Sequence, residues 1–299
     1  MSSIVLIDAD ITKNTIWRSG RTYLITREVR VKKGVTLTIE DKTTVLIVNG
    51  VLPASKSKIR RAALVFDQGS GLKAKRLYVK AADALGQPVR HADNGGLWFL
   101  GNYRDASKDR ISVSVNRKHP LSRFQASMIT THYLGRHDDY ISTKTGNKVG
   151  IGDDVDGFSV LGVGPDEWQI DEIRSYYSAD DGIDLTNSHI RLKRIAVKHP
   201  VEDGLNISSS RLEVHKSLIL DVTKTSAGDR DLFDLEVDDG ASYVEIHRGC
   251  KVNVRGVLGD QLTLSSQDMP EPNNNPNARY AFNGECRKRG ALVYSLSRD

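Results

Sequence analysis

Three carboxylates stand at equivalent places in a repeated pattern. Asp181-Gly182-Ile183-Asp184-Leu185 recurs 22 residues later as Asp203-Gly204-Leu205-Asn206-Ile207, and Asp156-Gly157-Phe158-Ser159-Val160 lies 25 residues before it. Asp180 and Glu202 precede two of these units by one residue. Carboxylates stacked on neighbouring units repel, so a pair can share a proton, bind a cation or divide acid and base roles. On that reading Asp180, Asp181, Glu202 and Asp203 are the candidate catalytic groups. Asp156, Asp181 and Asp203 are then candidate ligands for a divalent cation such as calcium. The structural reading is that Asp-Gly is a turn pair, in which Gly supplies a positive φ and Asp caps the turn amides. A repeated turn repeats its residues for that reason alone, and turn capping is the outcome we expect.

Two other groups carry chemistry. His132, His137 and Asp138, with Asp139 beside them, combine imidazole and carboxylate within a short span and could hold a metal or move a proton. Their spacing does not suit a helical pair and no further unit repeats it. Tyr176, Tyr177, Lys198, His199 and Arg174 fall on adjacent units of the repeat and form a basic, aromatic strip. Such a strip suits sugars bearing carboxylates or sulfates, or the backbone of a nucleic acid. The ordinary alternative is that Tyr and Lys simply face water. Gly-x-Ser-x-Gly, P-loop, Cys-x-x-Cys and His-Glu-x-x-His patterns are absent from the sequence. Glycan chemistry survives that exclusion, because it needs only placed carboxylates or a basic residue with a cation.

The elements that must position these residues are strands. Val29/Val31, Val35/Leu37/Ile39, Val45/Ile47, Leu64/Phe66, Leu77/Val79 and Ile111/Val113/Val115 alternate apolar with polar, and no long helical period appears. Carrying the 22-residue offset onward stacks Phe158/Ile183/Leu205, Val160/Leu185/Ile207, Trp168/Ile190/Leu212 and Ile170/Leu192/Val214 as inward ladders. The same register sets Asp171 against Lys193, Glu172 against Arg194 and Arg191 against Glu213, three complementary pairs that a wrong register would not produce. A unit of about 22 residues suits one coil of a right-handed parallel β-helix. The expected fold is therefore an all-β solenoid over residues 1–264, with an irregular insertion at about 101–155 and another at Lys224–Arg230. Residues 265–299, opening with a Pro- and Asn-rich run, are expected to form a loop or tail whose Ala291–Leu296 segment covers the open end.

Composition bounds the rest. The 299 residues are 38% hydrophobic and 27% charged, which is neither a disordered nor a membrane composition, and runs such as Val45–Val48 are far too short to span a bilayer. No basic segment followed by an apolar stretch opens the chain, so a cytoplasmic protein is expected, or a virion-associated one if a phage encodes it. Cys250 and Cys286 are too few to staple a chain of this length and are expected to be reduced. A net charge of +5 is weak evidence for nucleic acid, although basic runs occur at Lys56–Arg61 and Lys73–Arg76.

Trp17-Arg18-Ser19-Gly20-Arg21-Thr22-Tyr23-Leu24, followed by Val29-Arg30-Val31-Lys32-Lys33-Gly34-Val35-Thr36-Leu37-Thr38-Ile39, resembles the opening of bacterial right-handed parallel β-helix proteins of the pectate-lyase-like superfamily. Asp41-Lys42-Thr43 stands where that group usually has Pro-Gly-Thr. Ala63–Gly71 and Gly95–Gly101 fit the same pattern. The resemblance implies the fold but no single activity, since the superfamily holds lyases, hydrolases, phage spikes and binding scaffolds. Ala179-Asp180-Asp181 and Glu202-Asp203 are also similar to the stacked acids of polygalacturonases. The Gly-His-Gly and Arg-Ile-Lys parts of that site are missing here. The expected function is a non-enzymatic recognition or assembly module, binding a glycan, a protein partner or another copy of itself, as a phage structural component would. The alternative is a polysaccharide hydrolase or lyase using Asp181 and Asp203. A nucleic-acid role ranks behind both, and no membrane role is expected.

Overall fold

Apolar residues at alternate positions bury one face of each short strand, and the alternation is visible along the chain. Val29 and Val31, Leu37 and Ile39, and Val45 and Ile47 are buried while the residues between them are mostly half-exposed. The computed structural model describes residues 4–48, 62–90, 95–103, 120–135, 156–222, 232–236, 242–247, 249–255 and 292–296. The predicted strand at Ile111–Val115, the basic run Lys56–Arg61, the insertion Lys224–Arg230 and the Pro/Asn-rich run lie outside them.

After β1 (Ile4–Ile7), strands come in threes. The first two sets are β2 (Thr15–Trp17), β3 (Thr22–Ile25), β4 (Glu28–Val31) and β5 (Thr36–Ile39), β6 (Thr44–Val48), β7 (Ala63–Phe66). Next come β8 (Gly71–Ala74), β9 (Arg76–Ala82), β10 (Gly96–Leu100) and β11 (Arg123–Ala126), β12 (Met128–His132), β13 (Phe158–Leu161). The fifth set is β14 (Trp168–Ile170), β15 (Glu172–Tyr176), β16 (Asp184–Thr186). Longer strands then alternate with short ones: β17 (His189–Lys198), β18 (Leu205–Ser208), β19 (Arg211–Asp221), β20 (Phe233–Glu236). The last described strands are β21 (Ser242–Ile246), β22 (Lys251–Arg255) and β23 (Leu292–Leu296).

Each set contributes one strand to each of three sheets. Sheet A runs β1-β3-β6-β9-β12-β15-β17-β19-β21-β23, with β22 also on β19. Sheet B runs β20-β18-β16-β13-β10-β7-β4, and sheet C runs β14-β11-β8-β5-β2. Among the described residues every ladder is parallel except β21 with β23, which is antiparallel. The protein is thus all-β with parallel sheets. Inward side chains of all three sheets join one apolar core. Its centre is aromatic: Phe99 stacks on Phe66 at 5.1 Å and meets Phe124, Trp168 and Phe158 at 5.0, 5.4 and 5.7 Å between ring centroids.

The 22-residue register holds where it was read. Leu185 pairs with Ile207, Ile190 with Leu212 and Leu192 with Val214, and Asn206 N–H donates to Ile183 C=O at 3.0 Å. Lys193 Nζ meets Asp171 at 2.8 Å, Arg191 Nε meets Glu213 at 3.2 Å and Arg194 meets Glu172 at 3.6 Å. A register shift between Leu192 and Arg194 marks the irregularity within β17.

Two expectations need correction. The stretch 101–155 is not irregular throughout, because β11 and β12 lie within it and pair in register with their neighbours. Its strands were hidden by lone alternations, Phe124/Ala126 and Ile129/Thr131, too short to register as a period; residues 104–119 and 136–155 lie outside the described ones. The Asp-Gly glycines do not serve a positive φ: Gly157, Gly182 and Gly204 are absent from the left-handed region. Close packing requires them instead, since a Cβ on Gly182 would lie 2.2 Å from Val197 Cγ1 and 2.5 Å from Gly204 O. Among the described residues no helix is long and apolar enough to cross a membrane.

Candidate functional site

The acidic units meet between sheets A and B. Asp203 N–H donates to Asp181 Oδ1 at 2.9 Å, and Gly182 N–H donates to Asp203 C=O at 2.8 Å. Asp181 therefore caps the backbone of the unit stacked on its own. Asp180, Asp181 and Asp203 are all buried. Burial pushes the Asp181 carboxyl well above the ordinary range, and the charges of Asp203, Asp156 and Glu202 add to it. Asp156, Asp180 and Asp181 bring a carboxylate oxygen each within 4.8 Å of the others, so the structure joins Asp180 to this group where the repeat suggested Asp203. An oxygen-only set of this kind is what a hard cation such as calcium takes.

A neighbouring carboxylate escaped the sequence reading. On sheet B, Ser159, Asp184, Asn206 and Asp234 follow one another in register, one residue out of phase with the buried apolar positions. Asp184 is buried, accepts from Thr186 Oγ1 at 3.3 Å, and has its Oδ2 without a hydrogen bond among the described residues. Burial, then the charges of Asp156 and Glu236, push its carboxyl well above the ordinary range. Ser159 Oγ donates to Asp156 Oδ2 at 2.8 Å. The signal was present in the alternation of Ile183-Asp184-Leu185, Leu205-Asn206-Ile207 and Phe233-Asp234-Leu235.

The basic, aromatic strip is assembled on sheet A. Lys80, His132, Tyr176, Lys198, Asp221 and Arg255 follow one another across six strands in register. Beside them, at the strand ends, Tyr133 stacks on Tyr177 at 4.8 Å with planes 6° apart, and Tyr177 meets His199 at 5.1 Å. His132 meets Tyr176 at 5.0 Å. These separations are the spacing of neighbouring strands, about 4.8 Å, because equivalent positions stack ring over ring. Tyr133, Tyr177 and His199 all have φ between 55° and 58°, the same left-handed turn at the same corner of successive units, with Tyr133 packed against the core and Tyr177 turned to solvent. Tyr177 is 39% exposed and Lys198 and Arg255 are exposed. Arg174 is on the same sheet but opposite Ala196, and its guanidinium is held by Glu172 at 2.6 Å, so it stands apart from the row.

His132 belongs to no group of three metal-ligating side chains among the described residues. It sits on regular β12, its ring against Tyr176, and burial followed by the charge of Lys80 holds it below the ordinary imidazole value. His137, Asp138 and Asp139 lie outside the described residues. On sheet C, a shallow groove of about 530 Å³ runs over Thr38, Lys73, Gln125 and Gln169, outward residues paired in register. Nothing in the sequence marks it, since single polar residues on separate strands carry no local pattern. Arg76, from the basic run, lies beside it and is bound to Asp41 at 2.5 and 2.9 Å.

No family model matches the chain, and neither a curated protein nor a solved structure matches it.

Proposed function

We propose that the chain is a right-handed parallel β-helix of the pectate-lyase-like kind that acts as a non-enzymatic recognition module, binding an anionic glycan along sheet A. The rotation of successive strands through sheets C, A and B around one core supports the coil. Parallel crossovers are right-handed in nearly all proteins, which supports the hand. The observation that carries the function is the row Lys80, His132, Tyr176 and Lys198 beside the ring stack Tyr133, Tyr177 and His199. Lys80 and Lys198 lie three strands apart in register with the His132 and Tyr176 rings between them, so a polymer of acidic sugars crossing the strands meets charge, ring edges and a phenol hydroxyl in turn. Of the carboxylates that an enzyme would need, Asp180, Asp181 and Asp203 are, by contrast, buried, with Asp181 committed to a backbone amide.

One observation favours the second reading, a hydrolase or lyase. Burial raises the Asp184 carboxyl with Asp156 nearby, and a raised carboxyl beside a second carboxylate is an arrangement that acid–base catalysis uses. The test is binding of purified protein to polygalacturonate and to a neutral glucan, measured by calorimetry, with product release followed in parallel. Binding to the acidic polymer alone is expected, weakened at least tenfold in Lys198→Ala and Tyr177→Ala, with no new ends released. Equal affinity for both polymers, or no binding, would overturn the module. Cleavage abolished by Asp184→Asn would replace it with the enzyme.

A further inference from the structure

A second cluster of titratable groups lies elsewhere on sheet A, apart from the glycan strip. Glu213-Val214-His215 on β19 and Glu245-Ile246-His247 on β21 and just beyond it carry the same Glu-x-His pattern. The two strands pair with Glu213 opposite Glu245, and His247 N–H donates to Val214 C=O at 2.9 Å. Alternate residues of a strand share a face, so two glutamates and two histidines project together from one patch. The imidazoles stack with centroids 3.8 Å apart and planes 21° apart.

We propose that Glu213, His215 and His247 form a binding site for a divalent transition metal of the Zn²⁺ type, with Glu245 beside it as the fourth donor. Ligand atoms of the three residues lie within 4.8 Å of one another. Glu213 Oε2 is 3.4 Å from His247 Nε2 and 3.7 Å from His215 Nε2, and Glu245 Oε1 is 3.5 Å from His247 Nε2. Zinc bonds of about 2.0–2.1 Å in a tetrahedron place donor atoms about 3.3 Å apart, close to the carboxylate–imidazole separations here, and the stacked rings turn on closing to bring their in-plane lone pairs onto one ion. His247 Nε2 is buried and makes no hydrogen bond among the described residues, although it faces two carboxylates.

The surroundings hold the donors in place. Glu213 Oε1 accepts from Arg191 Nε at 3.2 Å and is bonded to His189 Nε2 at 2.6 Å, with Arg211 Nε at 3.5 Å, which leaves Oε2 turned toward the imidazoles. Arg211 also binds Glu245 Oε2, leaving Oε1 toward His247. Such outer contacts orient metal ligands in known sites. Arg191 and Arg211 offset the charge of the two carboxylates. A mixed nitrogen and oxygen set selects a borderline ion over calcium, unlike the oxygen-only group at Asp156, Asp180 and Asp181. The metal would clip β19 to β21, neighbours separated in sequence by an insertion.

The experiment uses the full chain, stripped with chelator and titrated with Co²⁺, Zn²⁺ and Ca²⁺. One equivalent of Co²⁺ is expected to produce tetrahedral ligand-field bands that Zn²⁺ abolishes and Ca²⁺ does not. His215→Ala and His247→Ala should each weaken Zn²⁺ binding at least tenfold. Paramagnetic resonance of bound Cu²⁺ should report two imidazole nitrogens, a readout on the wild-type chain that needs no variant to fold. Absence of Co²⁺ bands in the folded protein, fewer than two coordinating nitrogens, or undiminished affinity in folded His215→Ala/His247→Ala protein would each overturn the site.

Discussion

Replacing Asp181 in two ways separates a turn cap from a catalytic group. Its Oδ1 accepts the Asp203 amide at 2.9 Å, and its neighbours Asp203, Asp156 and Glu202 are also acidic. Asp181→Asn keeps the acceptor and removes the charge. Relief of one like-charge contact between stacked strands is worth about 0.2–1 kcal/mol, so this variant is expected to be more stable than the wild type at pH 7. Asp181→Ala removes the Oδ1 acceptor of the buried Asp203 N–H, a loss of about 1–3 kcal/mol. The two variants should therefore move in opposite directions. The pH dependence has a definite sign. A carboxyl whose pKa is raised by folding holds a proton that the unfolded chain releases, so its contribution is fully favourable below the unfolded value and is lost as pH climbs through the folded one. The advantage of Asn should thus be absent below about pH 4 and grow toward neutrality. Urea unfolding at pH 4 and pH 7, followed by tryptophan fluorescence, measures both effects. An Asn variant less stable than wild type at pH 7, or an Ala variant as stable as the Asn one, would refute the capping geometry.

Phe99 is fully buried against four other rings, so Phe99→Ala should cost about 3–5 kcal/mol in urea unfolding, and a loss under about 1.5 kcal/mol would show the aromatic centre to be loosely packed. Acid stability should depend on Glu213. Burial pushes its carboxyl up, but hydrogen bonds from His189 and Arg191 and their charges outweigh burial and hold it at about 2. A depressed carboxyl gives stability that is present above the unfolded value and lost as pH falls through the folded one, so the metal-free protein should weaken between about pH 4.5 and about 2. Glu213→Gln should flatten that part of the acid-unfolding profile; an unchanged profile would place the acid sensitivity elsewhere.

Inward-facing positions, and the alignment of neighbouring units where the repeat is regular, were legible from the order of residues. Between Asp181 and Val214 the offset is constant, so the pairs Leu185 with Ile207 and Arg191 with Glu213 could be read as arithmetic. Complementary charges at three positions supported that register because strand neighbours meet at short range. Tertiary structure alone decided who meets whom once the spacing changed. Tyr133 and Tyr177 are 44 residues apart and Glu213 and Glu245 are 32, so the ring stack and the paired Glu-x-His motifs matched no single offset. The turn that absorbs extra residues leaves the strand ladder intact, and the ladder, not the separation along the chain, sets the contact. Burial was equally illegible for Asp181 and Asp184. Their residue type predicts exposure, and only the stacking of one unit on the next, with Gly182 admitting its close approach, withdraws them from water.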